Sequence, residues 1–445
     1  MRRIRLAPST RLLSWTAALT VIGLVIPIGI YANGLGQFAG IPLGLALIVA
    51  LLVGYDLLIS RHPPQVAVKR EIPANLSVHV AQPVSIALAN RGHFALSLQC
   101  SEMVPEHWLC SDNYHGCSLQ PGQIAEFSYT VTPTKRGPSQ ISATEIKVAS
   151  KLGFWLYVYW IEHVSDHKVF PNFTAISDLS GLKGSVNLAQ AGLKKFNMRG
   201  SGMDFLQLRD YREGESIKQI DWRATSRFNK LISREYQEEK NQHLIVMLDS
   251  GRRMRVQDDQ LSYFDHALNS LIMLSYTALK NGDNVSLQSF GSESRWLSHI
   301  RGAQNVSKVM QHFYDLYPQK IASDYLSAAQ ELLVKQPKRA LILLVSCLRD
   351  EDFDDLLKAV QLLKAKHLVA VISIEEPIYK QIESQPVETF EEAITYASAH
   401  KIKKSIDRNV QRLKQKGVIC INAPASHLTP NVLNTYLSVK KAGLL

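Results

Sequence analysis

Cysteine is scarce in this 445-residue chain. The five present are Cys100, Cys110, Cys117, Cys347 and Cys420, an odd number with no CxxC spacing. A disulfide framework and a zinc knuckle are therefore both disfavoured. One bridge among Cys100, Cys110 and Cys117 stays open, although the topology read below places them in a reducing compartment. The sequence also lacks GxxxxGK[ST], HExxH, GxSxG and the Rossmann glycine pattern, so nucleotide binding and the common hydrolase classes have no support. No tract is biased enough in composition to read as a large disordered region. Charge of one sign is not concentrated either. The formal net charge is +11, and residues 1–62 hold Arg2, Arg3, Arg5, Arg11 and Arg61 against Asp56 alone. The remainder keeps 45 basic and 38 acidic side chains, a net of about +7. That balance permits an acidic partner or lipid head groups and does not call for nucleic acid.

What is present begins with apolar runs. Leu12 to Ala32 contains no charged residue and is long enough to cross about 30 Å of hydrocarbon as a helix. Pro27 would kink it, which membrane helices tolerate. After the short loop NGLGQ, a second run extends from Phe38 to Ile59, interrupted only by Asp56. A signal peptide has a shorter apolar stretch and no second one, and core helices would show a polar face. The pattern predicts a transmembrane helical hairpin over residues 1–62, with helices at about 12–32 and 38–59. Lys and Arg flank the two runs and are missing from the loop between them. Both ends, and the rest of the chain, are thus expected to face the cytoplasm, with the lipid bilayer as one partner.

Two further regions follow. Residues 63–172 carry short alternating runs such as 76–90 and 124–133, separated by turn signals at Asn90-Arg91-Gly92, Pro121-Gly122 and Arg136-Gly137-Pro138. These predict a β-sandwich-like domain. From 243 to 445 the rhythm changes. Strand-like runs at 243–249, 285–290, 340–346, 368–374 and 418–422 alternate with helical patterns at 262–282, 323–336, 352–367 and about 388–416. Gly282 and Gly417 stand where helix C-caps belong. The alternation predicts a C-terminal α/β doubly wound domain, whose ligand sites would lie at strand carboxyl ends, after Asp249 and Ser346.

Between these regions lies a connecting segment, 173–242. Its stretch 199–239 is dense in Arg and carboxylates, with Tyr211 and Trp222 among them. Arg209, Arg212, Arg223 and Arg227 can be paired with Asp204, Asp210, Glu215 and Asp221. The segment reads either as a salt-bridge lattice docked on the α/β domain or as a recognition surface, for which Trp, Tyr and Arg are the residues of choice. The motif Gly200-Ser201-Gly202, Asp204-Phe205, Leu208-Arg209-Asp210-Tyr211, Gly214-Glu215, Ile220-Asp221-Trp222, Ala224-Thr225-Ser226-Arg227 resembles the signature of the bacterial Domain of Unknown Function 58 family. The resemblance extends over nearly the whole chain. It implies a bacterial inner-membrane protein of multidomain build with a von Willebrand factor A-like C-terminal domain. It also implies a role beside a MoxR-type AAA+ ATPase in assembly or maturation of other complexes, with no established enzymatic activity.

Von Willebrand A domains commonly hold Mg²⁺ or Mn²⁺ through D-x-S-x-S, a loop Thr and a late Asp. Here those positions read Asp249, Gly251 and Arg253, then Ser323, then Cys347. Hard divalent cations want oxygen ligands, so this site is read as degenerate, with no metal or other cofactor, and with Arg253 as an internal substitute charge for Asp249. Cys347 has no evident base and reads as a buried inert thiol. The basic stretch 400–417 carries Ile402, Ile406, Val410 and Leu413 at helical spacing and reads as a packed helix with a solvated outer face. The function expected is a membrane-anchored, non-enzymatic protein-binding or scaffold role. The partner-binding candidates are Arg209, Tyr211, Asp221, Trp222, Arg227, Asp249 and Arg253. A metal-dependent adhesion-type receptor and an unrecognised enzyme are the alternatives.

Overall fold

The computed structural model describes residues 2–32, 41–60, 64–172, 204–213, 217–237, 241–258 and 261–444. By its contacts the chain divides into two compact units, Met1–Phe170 and Pro171–Leu445. The Gly200-Ser201-Gly202 and Gly214-Glu215 parts of the signature, and the 33–37 loop, lie outside the described residues.

The first unit is built on two sheets. One has the order β1 (Arg2–Pro8), β10 (Trp155–Phe170), β9 (Gly137–Ala149), β5 (Leu96–Glu102), β7 (Tyr114–Leu119), with β3 (Asn75–Ser77) also on β10. The other runs β2 (Val66–Glu71), β4 (Gln82–Asn90), β8 (Ile124–Pro133), β6 (Trp108–Cys110). Period-2 alternation supplies the core. Val84, Ile86, Leu88, Tyr129 and Val131 of one sheet pack with Leu98, Ile141, Ile146, Val148, Tyr157 and Tyr159 of the other. A buried ion pair, Arg70 to Glu102 at 2.5 Å, crosses between the sheets, with Arg70 also donating to the His163 carbonyl and Ser165.

The N-terminal helices correct the sequence expectation. Among the described residues no helix is long and apolar enough to cross a membrane. The predicted transmembrane hairpin, its two-span topology and the inner-membrane location read from it fall with that finding. Arg2, Arg3 and Arg5, read as flanking charge, belong to β1, which pairs antiparallel with β10. Helix α1 (Thr10–Ala32) starts directly from the β domain: buried Ser9 donates to the Gly153 carbonyl and accepts from Leu12 N–H. Asp56, read as a mere interruption, lies in the last turn of helix α2 (Ile41–Ile59). That carboxylate is fully buried and accepts hydrogen bonds from Ser150, Leu152 N–H and Phe154 N–H. The apolar run ahead of it in α2, 41–55, is about 22 Å long at 1.5 Å per residue, short of a hydrocarbon core of about 30 Å.

The second unit contains a small hairpin and a six-stranded sheet. The hairpin is β11 (Asp204–Asp210) paired antiparallel with β12 (Ile232–Gln237), with α3 (Trp222–Phe228) between them. After it come β13 (His243–Asp249) and the two-residue pair β14 (Gln257–Asp258) and β15 (Leu261–Ser262). The large sheet has the order β17 (Trp296–Ile300), β16 (Asn284–Phe290), β13, β18 (Leu341–Ser346), β19 (Leu368–Glu375), β20 (Ile419–Pro424). All its pairings are parallel except β16 with β17.

Helices cover both faces of this sheet. Leu244, Val246, Leu248, Leu341 and Leu343 meet α4 (Tyr263–Lys280), α5 (Val306–Phe313) and the C-terminal α10 (Leu428–Lys441). Ile245, Met247, Ile342, Leu344 and Val371 meet α6 (Tyr325–Lys335), α7 (Asp350–Lys364) and the end of α9 (Phe390–Gln415), which follows the short α8 (Pro377–Ser384). Strands buried on both faces need continuous apolar sequence, which is why the 243–249 and 340–346 runs show no polar alternation. Gly282 and Gly417 both take positive φ, 83° and 70°, as the expected caps require.

Candidate functional site

The carboxyl end of the interior strand β13 places Asp249 at the top of the sheet, where it is fully buried. Its oxygens are occupied by groups of this chain. Oδ1 accepts from Gly251 N–H at 2.8 Å and from the Ser323 hydroxyl. Oδ2 accepts from Ser346 Oγ at 2.5 Å, and the Tyr325 hydroxyl lies 3.2 Å from the same oxygen and 2.8 Å from Ser346 Oγ. Burial pushes the Asp249 carboxyl above its ordinary pKa, against the lowering effect of these donors. Glycine at 251 follows from the same packing. A Cβ there would sit 2.0 Å from Ser323 Oγ and 3.1 Å from Asp249 Oδ1. The Ser323 hydroxyl thus occupies the space a serine at 251 would use.

Arg253 does not pair with Asp249 as the sequence suggested. Its guanidinium reaches the start of α7, bonding Asp352 Oδ2 at 3.1 Å and Glu351, and Arg252 joins Glu351 at 3.2 Å. The reason is acceptor supply: Asp249 is already filled, while the first turn of α7 offers Asp350, Glu351 and Asp352. Cys347 is buried, its Sγ donating to Glu376 Oε1 at 3.5 Å. Burial pushes its thiol up to about 12, so it carries no thiolate near neutrality.

The magnesium or manganese site that the von Willebrand A pattern implies does not fit these residues. One carboxylate remains, and its partner hydroxyls point their protons at it rather than lone pairs at a cation. Gly251 supplies no side-chain oxygen, Arg253 is a cation committed elsewhere, and Cys347 faces Glu376. Among the described residues no group of three or more His, Cys, Asp and Glu is placed to hold a metal. Beside Asp249 a shallow depression is lined by Ser323, Asp324, Glu351, Asp352 and Asp355. There Asp324 caps α6 through Ser327 N–H, and Asp355 accepts from Tyr325 N–H.

The signature segment forms a second, distinct feature. Asp221 is the N-cap of α3: Oδ1 accepts from Arg223 N–H and Ala224 N–H, both at 3.0 Å, and Oδ2 accepts from Arg234 Nε at 2.8 Å. The bond from Arg234 is the main reason its carboxyl titrates below the usual range. Thr225 Oγ1 accepts from Ile232 N–H, and Asn229 ends the helix at φ 56°. Tyr211 is half-buried, its N–H bonded to the Leu231 carbonyl. Arg209 is half-buried on β11, and Arg227 is exposed in the last turn of α3. Two ion pairs differ from the sequence pairing, Arg234 with Asp221 and Lys230 with Asp210. Among the described residues no hydrogen bond or ion pair of this frame involves the Trp222 side chain, which is 63% exposed. Ile217, Phe228 and Leu231 of the same unit are exposed as well.

Sequence reasoning found Asp249, Gly251 and Ser323, and the structure brings them together. It missed Tyr325 and, as a donor to Asp249, Ser346. Ser346 carried a usable signal, since it ends a strand-like run whose carboxyl end was expected to lie at a ligand site, whereas Tyr325 carried none.

Among curated proteins, the chain is 23% identical over 105 residues to the uncharacterized protein YeaD of Bacillus subtilis (strain 168), which is 24% of either chain. The match therefore spans about a quarter of that relative's length. Among solved structures, the CARDB domain of the PF1109 protein from Pyrococcus furiosus, crystallised with di-metal ions, matches at 15% identity and a TM-score of 0.17, covering 24% of this chain and 88% of that one. A FixG-related protein from Vibrio parahaemolyticus matches at 9% identity and a TM-score of 0.18, covering 24% of this chain and 97% of that one. Residues 207–409, which run from β11 into α9, match the family described as "Protein of unknown function DUF58".

Proposed function

We propose that this chain is a protein-binding adaptor rather than an enzyme, and that the solvent face of the β11–α3–β12 unit engages the partner. The observation that carries the reading is Trp222, a large aromatic side chain 63% exposed on a unit whose own frame is held without it. Exposed tryptophan beside arginine is the composition of an interface anchor, and exposed large apolar side chains grouped on one small unit mark an interaction site. The partner class implied by the family resemblance is a MoxR-type AAA+ ATPase or its client. An adhesion receptor working through a bound divalent cation is disfavoured by the filled coordination of Asp249.

Pull-down with the purified ATPase, run beside melting curves on the same preparations, is the experiment. Trp222→Ala is expected to abolish capture with the melting temperature near wild type, since a truncated anchor can remove about 2 kcal/mol or more of binding. Asp221→Ala is expected to lower the melting temperature, since it removes the cap and an ion pair. If loss of capture merely tracks loss of stability across both variants, the surface is structural and the reading fails.

A further inference from the structure

The long helix α9 is only partly used by the fold. It has 26 residues, about 39 Å at 1.5 Å per residue, whereas the preceding crossover helix α7 has 15. Its buried residues begin at Ala399 and include Val410 and Leu413. Residues 390–398 are exposed throughout, with Phe390 82% and Ile394 52% accessible. Nine such residues extend roughly 14 Å before the packed part begins.

The exposed side has an ordered pattern. Phe390, Ile394, Ala397, Lys401 and Lys404 follow one another at intervals of four, three, four and three, which is the spacing of a helix–helix seam. At roughly 100° per residue they share one stripe, on the opposite side from Ala399, Val410 and Leu413. The helix therefore offers solvent a continuous seam that is apolar in its first half and basic in its second. Acidic charge is concentrated at the first end, with Glu388, Glu391 and Glu392 and no base from Gln385 to Ala399, and Asp407 is the one acid of the basic second half. Glu392 closes the capping box with Thr389. Lys403 and His400 are engaged by Glu383 of α8, which leaves Glu388, Glu391, Lys401 and Lys404 with no ion pair among the described residues.

We propose that α9 pairs antiparallel with α9 of a second copy of this chain, about a two-fold axis at Ala397. Charge complementarity selects this occupant, because the base that each acidic end lacks stands on the same seam of an identical helix. The two-fold sets Phe390 under the stem of Lys404 and Ile394 under that of Lys401 of the second copy. Lysine stems cover apolar surface while their heads stay solvated, here within reach of Glu388 and Glu391. Ala397 at the axis lets the two helices approach closely. The seam is short, so the pairing belongs to the small, transient class of interfaces, and it is independent of the surface carrying Trp222.

Sedimentation velocity of the full chain over a wide concentration range tests this. Wild type is expected to show a reversible monomer–dimer equilibrium that weakens as salt is raised. Phe390→Asp is expected to weaken it by about tenfold or more with an unchanged melting curve, because the side chain is exposed in the monomer. The decisive variants are the charge reversals. Glu388→Lys with Glu391→Lys, and Lys401→Glu with Lys404→Glu, should each be monomeric alone and should form a heterodimer when mixed. A wild-type chain that stays monomeric overturns the pairing and leaves the seam to another protein. Reversed variants that associate like wild type, or that fail to recombine on mixing, overturn it equally.

Discussion

A single carboxylate sets the chemistry at the top of the sheet. Asp249 was legible from sequence because a strand-length apolar run ends on it, and Gly251, Arg253 and Cys347 announced that the metal pattern was broken. The self-contained alternative was not legible, because it depends on Tyr325, which reaches Asp249 only through the tertiary arrangement of α6 over β18. Two expectations follow at this scale. Gly251→Ser should destabilise the domain, and Ser323→Ala should partly relieve it, because the clash is between those two side chains. A double-mutant cycle by denaturant unfolding should show coupling of about 1 kcal/mol or more, and simple additivity would refute the contact. The second concerns pH. The folded-state pKa of Asp249 lies above its unfolded value, so stability is greatest below the unfolded pKa of about 4 and is lost as pH rises through the folded value. Asp249→Asn removes that loss. Its melting temperature relative to wild type should therefore rise with pH across that window, and a flat difference would contradict the burial argument.

Helices were read well where their pattern was strong. The predicted 262–282 and 388–416 segments appear as Tyr263–Lys280 and Phe390–Gln415, each opened by a capping box. The strand β17 and the helices α3, α5, α8 and α10 went unread. β17 has only five residues, with half-exposed Trp296 and Leu297, and gives no periodic signal. What ties α7 to α9 was equally hidden: Asp350 accepts from Asn409 at 2.5 Å and from Ser405. The bond from Ser405 is the main reason the Asp350 carboxyl lies below its ordinary range. Its contribution is thus present above the unfolded pKa and is lost as pH falls through the folded one. Asp350→Asn should lower the melting temperature near neutrality, and that difference should shrink on acidification. The trend is opposite to that of Asp249→Asn, so thermal scans of both variants across one pH series check the two assignments together. Parallel trends would remove one of them.

The whole chain was misjudged at its N-terminus for a physical reason. Hydropathy weighs each side chain alone, and it cannot show that Asp56 is the bonded anchor of α2 or that the first arginines enter a strand. Buried polar networks escape such reading generally, because both partners look like surface residues in sequence. Each compact unit contains one. Arg70 and Glu102 are 1% and 0% exposed in the first, and Lys440 and Asp283 are 3% and 1% exposed in the second. The Tyr436 hydroxyl also donates to Asp283, at 2.5 Å. Removing one member of such a pair strands its partner's charge, at a cost of about 3–5 kcal/mol. In calorimetry of the full chain, Lys440→Met should lower the transition of the second unit and leave that of the first in place, and Arg70→Met should do the reverse. Equal shifts of a single transition for both variants would show one cooperative unit instead of two.

Whether this domain works by protein recognition rather than through a cation at Asp249 is decided most directly by one calorimetric titration. The purified MoxR-type ATPase is titrated into the full chain twice, with excess EDTA and with Mg²⁺, for wild type, Trp222→Ala and Asp249→Asn. The expected result is wild-type binding of equal strength in both buffers, no measurable heat with Trp222→Ala, and binding retained by Asp249→Asn. Binding that needs Mg²⁺, fails with Asp249→Asn and ignores Trp222→Ala would contradict the account.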